Sequence, residues 1–520
     1  MRMSLGPFVH PDTMADLQAM HDLLAAAGLS FWLVRHTWGV AVAVAESGSS
    51  TAAADTAMRG LAALRGDGLN GMETAPGIVR VGRSADTGRW VEVERWNVGA
   101  HSVTCPRANA LTREQFDAAD LEPTVVEIFG RQWPTLAGMF GAHPGDVGFD
   151  IDMVFSWVDG TDPALSSPRA RLLAQVVLGD GDDADARTRQ IDELRYALRS
   201  VHQNAPWVRR IFIATDSRLP NWLIADHPKV TVVRAAEHFS DPSALPTFNS
   251  HAVETQLHHI EGLAEHFLYC NDDMFVGRRV TPSMFFTPGG ISRFIESPVR
   301  IGGGAVDIRR SGHENAARNN RRLLADRFGF VITRHLAHSP APLRRSVLAE
   351  LEAEFPSDFA ATQASRFRSA TDISVTNSLY HYYALLTGRA VPRESASACY
   401  IDTTSHDGLD SLGELLARRD ADFFCLNDGG TPEVDEAYRD TTVSDFLACY
   451  FPYQAPWELD WAGQRRQPQD RPRRAAKRMV PAVTQPRQTG TLLGASISLP
   501  GQVCPPGDGE AHPRTGSPAM

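Results

Sequence analysis

The apolar run Leu268-Tyr269-Cys270 ends in Asn271-Asp272-Asp273 before Met274-Phe275 resumes it. A buried strand does not finish in two adjacent carboxylates unless something cationic receives them, because an uncompensated buried charge is strongly unfavourable. Hard oxygen ligands of this kind suit Mg²⁺ or Mn²⁺, the ions that hold a diphosphate. The edge beyond the strand ends of an α/β sheet is also where such ligands bind. The pair therefore predicts an α/β fold with Asp272 and Asp273 as metal-ligating residues at one pole.

The rest of the chain permits that reading. Its 520 residues allow two or three domains with ample core. A 43% hydrophobic and 22% charged composition is that of an ordinary globular protein. A formal charge of −11 argues against a nucleic-acid binder, whose basic footprint is missing. The six cysteines show no CxxC spacing, which argues against a cysteine zinc site and for reduced core thiols. No signal-peptide pattern opens the chain, and no run approaches the ~18 apolar residues of a membrane span. The expected location is cytoplasmic.

Periodicity divides the chain in three. Residues 1–148 form a smaller α/β or α+β unit of unassigned role. It has a helix at Asp12–Ala27, strands at Phe31–Arg35, Val40–Ala45, Ile78–Val81 and Trp90–Trp96, and a helix at Thr51–Leu64. Residues 149–460 form the main unit. Strands at Ile151–Trp157, Arg210–Ala214, Val230–Val233, Phe267–Cys270 and Phe423–Leu426 alternate with helical patterns, predicting a Rossmann-like, mostly parallel sheet flanked by helices. Helices are expected at Arg187–Gln203, at Ser250–Glu265 and from Pro342 onward. The acidic, Gly-rich Gly179–Ala186 reads as a loop. Residues 463–520 are Pro-, Gly-, Arg- and Gln-rich without periodicity and read as a disordered tail. Seven basic residues lie between Arg465 and Arg478, which reads either as a solvated tail or as peripheral contact with an anionic inner membrane face.

Two further strand ends repeat the opening motif. Ile151–Val158 breaks into Asp159-Gly160-Thr161-Asp162-Pro163, either an Asx-type turn or a nucleotide-binding loop. Phe423–Leu426 breaks into Asn427-Asp428-Gly429. Three such ends predict convergence on one pole. His338, in His338-Ser339-Pro340-Ala341-Pro342, is the general-base candidate, held in a proline-constrained loop expected to precede a helix. Arg368 can offer a guanidinium to phosphate oxygens.

In order along the chain, these pieces resemble the Stealth family of sugar-1-phosphate transferases. Its first signature is similar to Ile151–Pro163. The second resembles Asp192–Ser200, Ala205–Arg209, Leu245–Ser250 and Ile260–Leu263, through to Asn271–Phe275. The third is similar to Phe328–Phe330, His338–Pro340 and the stretch ending with Arg368 and Asp372, and the fourth to Cys425–Asp428. The likeness spans Ile151–Tyr450. Where the family often has Asp-Asn before the second-signature helix, this chain has Gln190-Ile191. Where some members carry a histidine, it has Gln256.

The resemblance implies transfer of a hexose or N-acetylhexosamine 1-phosphate from a nucleotide-diphosphate sugar to a hydroxyl of a glycan or polysaccharide acceptor, in capsule or exopolysaccharide synthesis. It implies a Mg²⁺ or Mn²⁺ cofactor on Asp272 and Asp273. His338, Arg368 and Asp159 would form the catalytic set, with Asp162, Asn249, Asn427 and Asp428 binding donor or phosphate. Two alternatives stay open: a metal-dependent glycosyltransferase using a nucleotide sugar, and a non-catalytic nucleotide-sugar-binding module.

Overall fold

A computed structural model describes residues 13–459 except 37–38, 47–69, 83–89, 129, 174–178, 180–189, 395 and 429–431. The expected helix at Thr51–Leu64 and the tail at 463–520 lie outside the described residues, as does the acidic loop apart from Gly179.

In the main unit the described elements used below are β1 (Ile151–Ser156), α1 (Glu193–Asn204), β2 (Ile211–Ala214), β3 (Val230–Val233), α2 (Ser250–Glu254), β4 (His266–Asn271), β5 (Met274–Val276), α3 (Gly312–Phe328), β6 (Ala341–Arg344), α4 (Arg345–Glu354), β7 (Ala398–Asp402), α5 (His406–Arg418), β8 (Phe423–Asn427) and α6 (Glu436–Tyr450). The central sheet runs β3-β2-β1-β4-β6. The first four strands are parallel and β6 is an antiparallel edge. This is the expected α/β arrangement.

Its central strands are apolar throughout because both faces are covered. On β1 and β4, Met153, Phe155, Leu268 and Cys270 face one core with Leu194, Ala197, Leu198 and Val201 of α1. Val154, Phe267 and Tyr269 face the other, with Val347, Leu348 and Leu351 of α4. Alternate side chains of one strand thus anchor two layers.

Four expectations change. Phe423–Leu426 does not join the central sheet: β8 lies between β5 and β7 in a separate three-stranded sheet. A short apolar run states that it is buried, not which strand it will pair with. The helix from Pro342 is instead the strand β6 followed by α4. Proline is tolerated there because β6 is an edge strand, whose outer side donates nothing. Ser250–Glu265 is a five-residue helix followed by a 3₁₀ turn at Leu257–His259. Thr255 Oγ1 donates to the Ala252 carbonyl at 2.7 Å, and Gln256 Oε1 accepts from the Ser240 amide at 3.0 Å, so local and tertiary bonds displace the helical ladder. The helix expected from Arg187 begins at Glu193, because Asp192 sits in the left-handed region at φ 65°.

The N-terminal described residues form one helix, Met14–Ala26, on a mostly antiparallel sheet ordered Phe31–His36, Gly39–Glu46, Trp90–Val98, Ile78–Gly82, Asn70–Ala75, with two short strands attached. Leu17, Met20 and Leu24 bury the helix against Leu33, Val42 and Val93. Cys105, Cys270 and Cys425 are buried free thiols and Cys449 an exposed one, whereas Cys399 is disulfide-bonded, against the expectation of reduced thiols throughout. Among the described residues no helix is long and apolar enough to cross a membrane.

Leu198 is fully buried between α1 and the central sheet. Leu198→Ala should destabilise the protein by about 2–5 kcal/mol in chemical denaturation, since the surrounding sheet cannot collapse into the space left.

Candidate active site

β1 and β4 end in register, with Ser156 opposite Asn271. The Ser156 hydroxyl and the Tyr269 phenol lie 2.8 Å apart, and the phenol donates to Asn271 Oδ1 at 3.1 Å, closing a polar triangle over the strand ends. Directly beyond it stand Asp272 and Asp273. β5 then turns back along β8, and the Leu426 amide donates to the Asp273 carbonyl at 3.0 Å. That bond brings the Asn427-Asp428 strand end to the same pole.

Both carboxylates resist ionisation. Asp272 is pushed up to about 7, first by the protein packed around it and then by the Asp273 charge. Asp273 is pushed up to about 6 by the same desolvation, with Glu193 and Asp428 adding negative charge. One Asp273 oxygen accepts a weak bond from Cys425 Sγ at 3.5 Å; the other, Oδ1, is buried with no hydrogen-bond partner. An orphaned buried carboxylate oxygen beside a second carboxylate fits a hard divalent cation, which would satisfy the lone pairs and remove the repulsion.

The other acids are already engaged. Asp428 Oδ1 accepts from Thr403 Oγ1 at 2.7 Å and lies 3.6 Å from the Arg439 guanidinium. Asp159 Oδ1 accepts from the Thr161 amide and hydroxyl at 2.9 and 2.6 Å. Asp162 accepts from the amides of Ala164 and Arg218, each at 2.9 Å, and those bonds hold its carboxyl below the usual range. The Asx-turn reading of this loop therefore describes its side chains. The loop still reaches the pole through Gln190, whose Nε2 donates to the Val158 carbonyl at 2.7 Å and whose side chain also bonds Asp272.

A second group of residues lies beside the acids. His338 sits in the loop before β6, not before a helix, with its ring 4.9 Å from that of Tyr400 in an edge-on contact. The Tyr400 hydroxyl lies 2.5 Å from Asn427 Nδ2, so His338 connects to the β8 strand end through two side chains. His313, the second residue of α3, stacks on His335 at 5.0 Å. Its basicity is held well below normal by burial and by His335, Arg368, His338 and His251 together. His338 is lowered to about 4 by burial and by His335. Its ring is therefore neutral at ordinary pH, the form from which a general base acts.

Arg368 NH2 donates to Ser250 Oγ at 3.0 Å. Its loop is braced from behind by Asn249, which caps α2 and donates from Nδ2 to Asp372 Oδ2 at 2.8 Å and to the Ser365 carbonyl at 3.1 Å. Asn249 is 1% exposed, so the expectation that it contacts donor is corrected: its amide is spent on this brace. Of the predicted residues, the structure groups Asp272, Asp273, Asn427 and Asp428 at one pole and His338 with Arg368 beside it. Asp159 accepts within its own turn, and Asp162 joins that turn to the Arg218 amide. Sequence reasoning missed His251, His313, His335, Glu193 and Tyr400. Only Ser311, an N-cap two residues before His313, marked any of them locally.

The depressed histidines carry a pH consequence. Between about pH 4 and the ordinary 6.5 of imidazole, the unfolded chain binds protons at His313, His335 and His338 that the folded chain refuses. These histidines therefore add a positive slope to melting temperature measured between pH 5 and 7, against the negative slope of Asp272 and Asp273, which bind protons more readily in the folded chain. Replacing His335 with Asn should shift the measured slope in the negative direction.

Comparison with known proteins finds relatives along most of the chain. Residues 187–294 match Stealth protein CR2, conserved region 2; residues 337–385 match CR3, conserved region 3; and residues 413–469 match CR4, conserved region 4. The chain is 63% identical over 456 residues to an exopolysaccharide phosphotransferase of Nocardia farcinica, covering 87% of this chain and 89% of that protein. It is 61% identical over 384 residues to the exopolysaccharide phosphotransferase CpsY of Mycobacterium tuberculosis, covering 74% of this chain and 71% of that one. Among solved structures, the galactosyltransferase LgtC with donor and acceptor sugar analogs aligns at a TM-score of 0.30 and 9% identity, covering 60% of this chain and 99% of that one. With three conserved regions matched and close relatives covered over most of their length, this chain belongs to the Stealth family of phosphotransferases.

Proposed function

We propose that this protein transfers a sugar 1-phosphate from a nucleotide-diphosphate sugar to a hydroxyl of a glycan acceptor, forming a phosphodiester in exopolysaccharide synthesis. The observation that carries the reading is the Asp272-Asp273 strand end, with its orphaned buried oxygen, standing beside His338 and Arg368. Its relatives' names supply the acceptor class.

In this reading Asp272 and Asp273 hold a Mg²⁺ or Mn²⁺ ion, which when bound neutralises diphosphate charge. The acceptor hydroxyl oxygen forms a bond to the sugar-bearing phosphorus, and the bond from that phosphorus to the bridging oxygen breaks. The nucleoside monophosphate leaves with that oxygen. His338 accepts the hydroxyl proton, and Tyr400 against its ring limits how it can turn. Arg368, aimed by Ser250, stabilises the equatorial phosphate oxygens. Asn427 and Asp428 orient the donor, and Asp159 and Asp162 shape the loop over it. Residues 1–148 form a separate domain, 149–460 carry the chemistry, and the basic tail keeps the enzyme at the inner membrane face.

The released nucleotide decides between phosphoryl and glycosyl transfer. With a panel of nucleotide sugars, a nucleoside monophosphate is expected; release of the diphosphate would replace this reading with a glycosyltransferase. His338→Ala should lower turnover at saturating substrate by about 10²–10⁴-fold. Near-normal turnover in that variant would remove His338 as the base. Asp273→Asn should abolish the response of the rate to added Mg²⁺, and an unchanged response would move the ion elsewhere.

A further inference from the structure

A second cluster of ligating side chains lies outside the active site. The 3₁₀ turn Leu257–His259 places two consecutive imidazoles against Glu352 of α4. His258 Nε2 is 2.7 Å and His259 Nε2 3.3 Å from the same oxygen, Glu352 Oε2. One ligand atom from each residue lies within 4.8 Å of the others. The two rings lie 4.1 Å centre to centre, tilted against each other, so both Nε2 atoms reach the one carboxylate oxygen. His258 is 3% exposed, Glu352 29% and His259 36%, so the group is anchored on one side and open to solvent on the other.

We propose that His258, His259 and Glu352 bind a Zn²⁺ ion that ties this turn to α4. Two imidazoles and one carboxylate are a zinc donor set, distinct from the all-oxygen set at Asp272 and Asp273. Tetrahedral zinc with bonds of about 2.0–2.1 Å separates its ligand atoms by about 3.3 Å, which is the His259–Glu352 spacing. The shorter His258–Glu352 contact is a hydrogen bond that opens slightly as the carboxylate, free to move on its exposed side, turns to the ion. The three ligands leave a fourth position.

The turn leads through Ile260 and Leu263 into β4, the strand that presents Asp272 and Asp273, and α4 packs beneath that sheet. The ion would therefore fasten the root of the catalytic strand without touching substrate.

The test uses the full-length protein stripped with chelator and titrated with Zn²⁺ in excess Mg²⁺, so that the hard-oxygen site is not the one read. Wild type should bind one Zn²⁺ and gain melting temperature. Co²⁺ in its place should give the visible absorption of a tetrahedral site. His259→Ala and Glu352→Gln, both at partly exposed positions, should fold without metal, bind Zn²⁺ at least about tenfold more weakly and lose the thermal gain, because even outer partners of a metal ligand contribute that much. Failure of wild type to bind overturns the proposal and leaves an ordinary His–Glu ion pair. Equal binding by wild type and both variants also overturns it, by placing the ion elsewhere.

Discussion

The parallel pairing of β1 with β4 is the constraint on which the remaining architecture depends. It aligns Ser156 with Asn271, so that two central strands stop at the same height and the chain beyond them is delivered to one edge of the sheet. Because both strands are buried on both faces, their register cannot slip without exposing one core or the other. The carboxylates that follow inherit that precision. Asp272 and Asp273 form the two-residue turn between β4 and β5, and the strands on both sides of it are paired in sheets, which fixes where the charges stand.

That placement creates an electrostatic conflict which the protein leaves standing. Asp272, Asp273, Glu193 and Asp428 crowd one pole, and the first two are pushed toward neutrality at the pH where they would have to work. Beside them, burial and the charges of His335, Arg368, His338 and His251 suppress the protonation of His313. The two conflicts are opposite in sign and adjacent, linked through Tyr400 and Asn427. In the function proposed above, a bound cation with a diphosphate would resolve both at once, since the ion would answer the acids and the phosphates the basic side. The free protein carries the unfavourable charge that binding would relieve.

Support for the site comes from residues that never meet substrate. Asn249 joins the α2 cap to Asp372 and the backbone before Arg368, and Gln190 joins the first strand's loop to Asp272. Gln190 stands where the family often has an acid-amide pair, and it supplies a neutral donor to a carboxylate already short of positive charge. Gln256, at the other departure from the family, is fully buried and accepts from Ser240 and Gln363, a packing role.

What could be read from the sequence were features whose physics is local. Apolar runs marked the strands, and the acids at their ends marked where three stretches of chain meet, with His338 and Arg368 singled out beside them as candidates. Partner choice was not legible, because strand pairing and side-chain meeting are settled across long stretches of chain. β8 therefore moved to a second sheet, Pro342 became an edge-strand residue, and Ser250–Glu265 broke where Thr255 and Gln256 found better bonds. His251, His313 and His335 were invisible for the same reason: a lone histidine states nothing about its neighbours. The sequence by itself determined that two adjacent carboxylates follow a buried apolar strand. The tertiary structure alone decided that Asp273 keeps an unanswered oxygen, that Asn249 braces instead of binding, and that four distant histidines share one charge environment, since desolvation and repulsion exist only once the chain has folded.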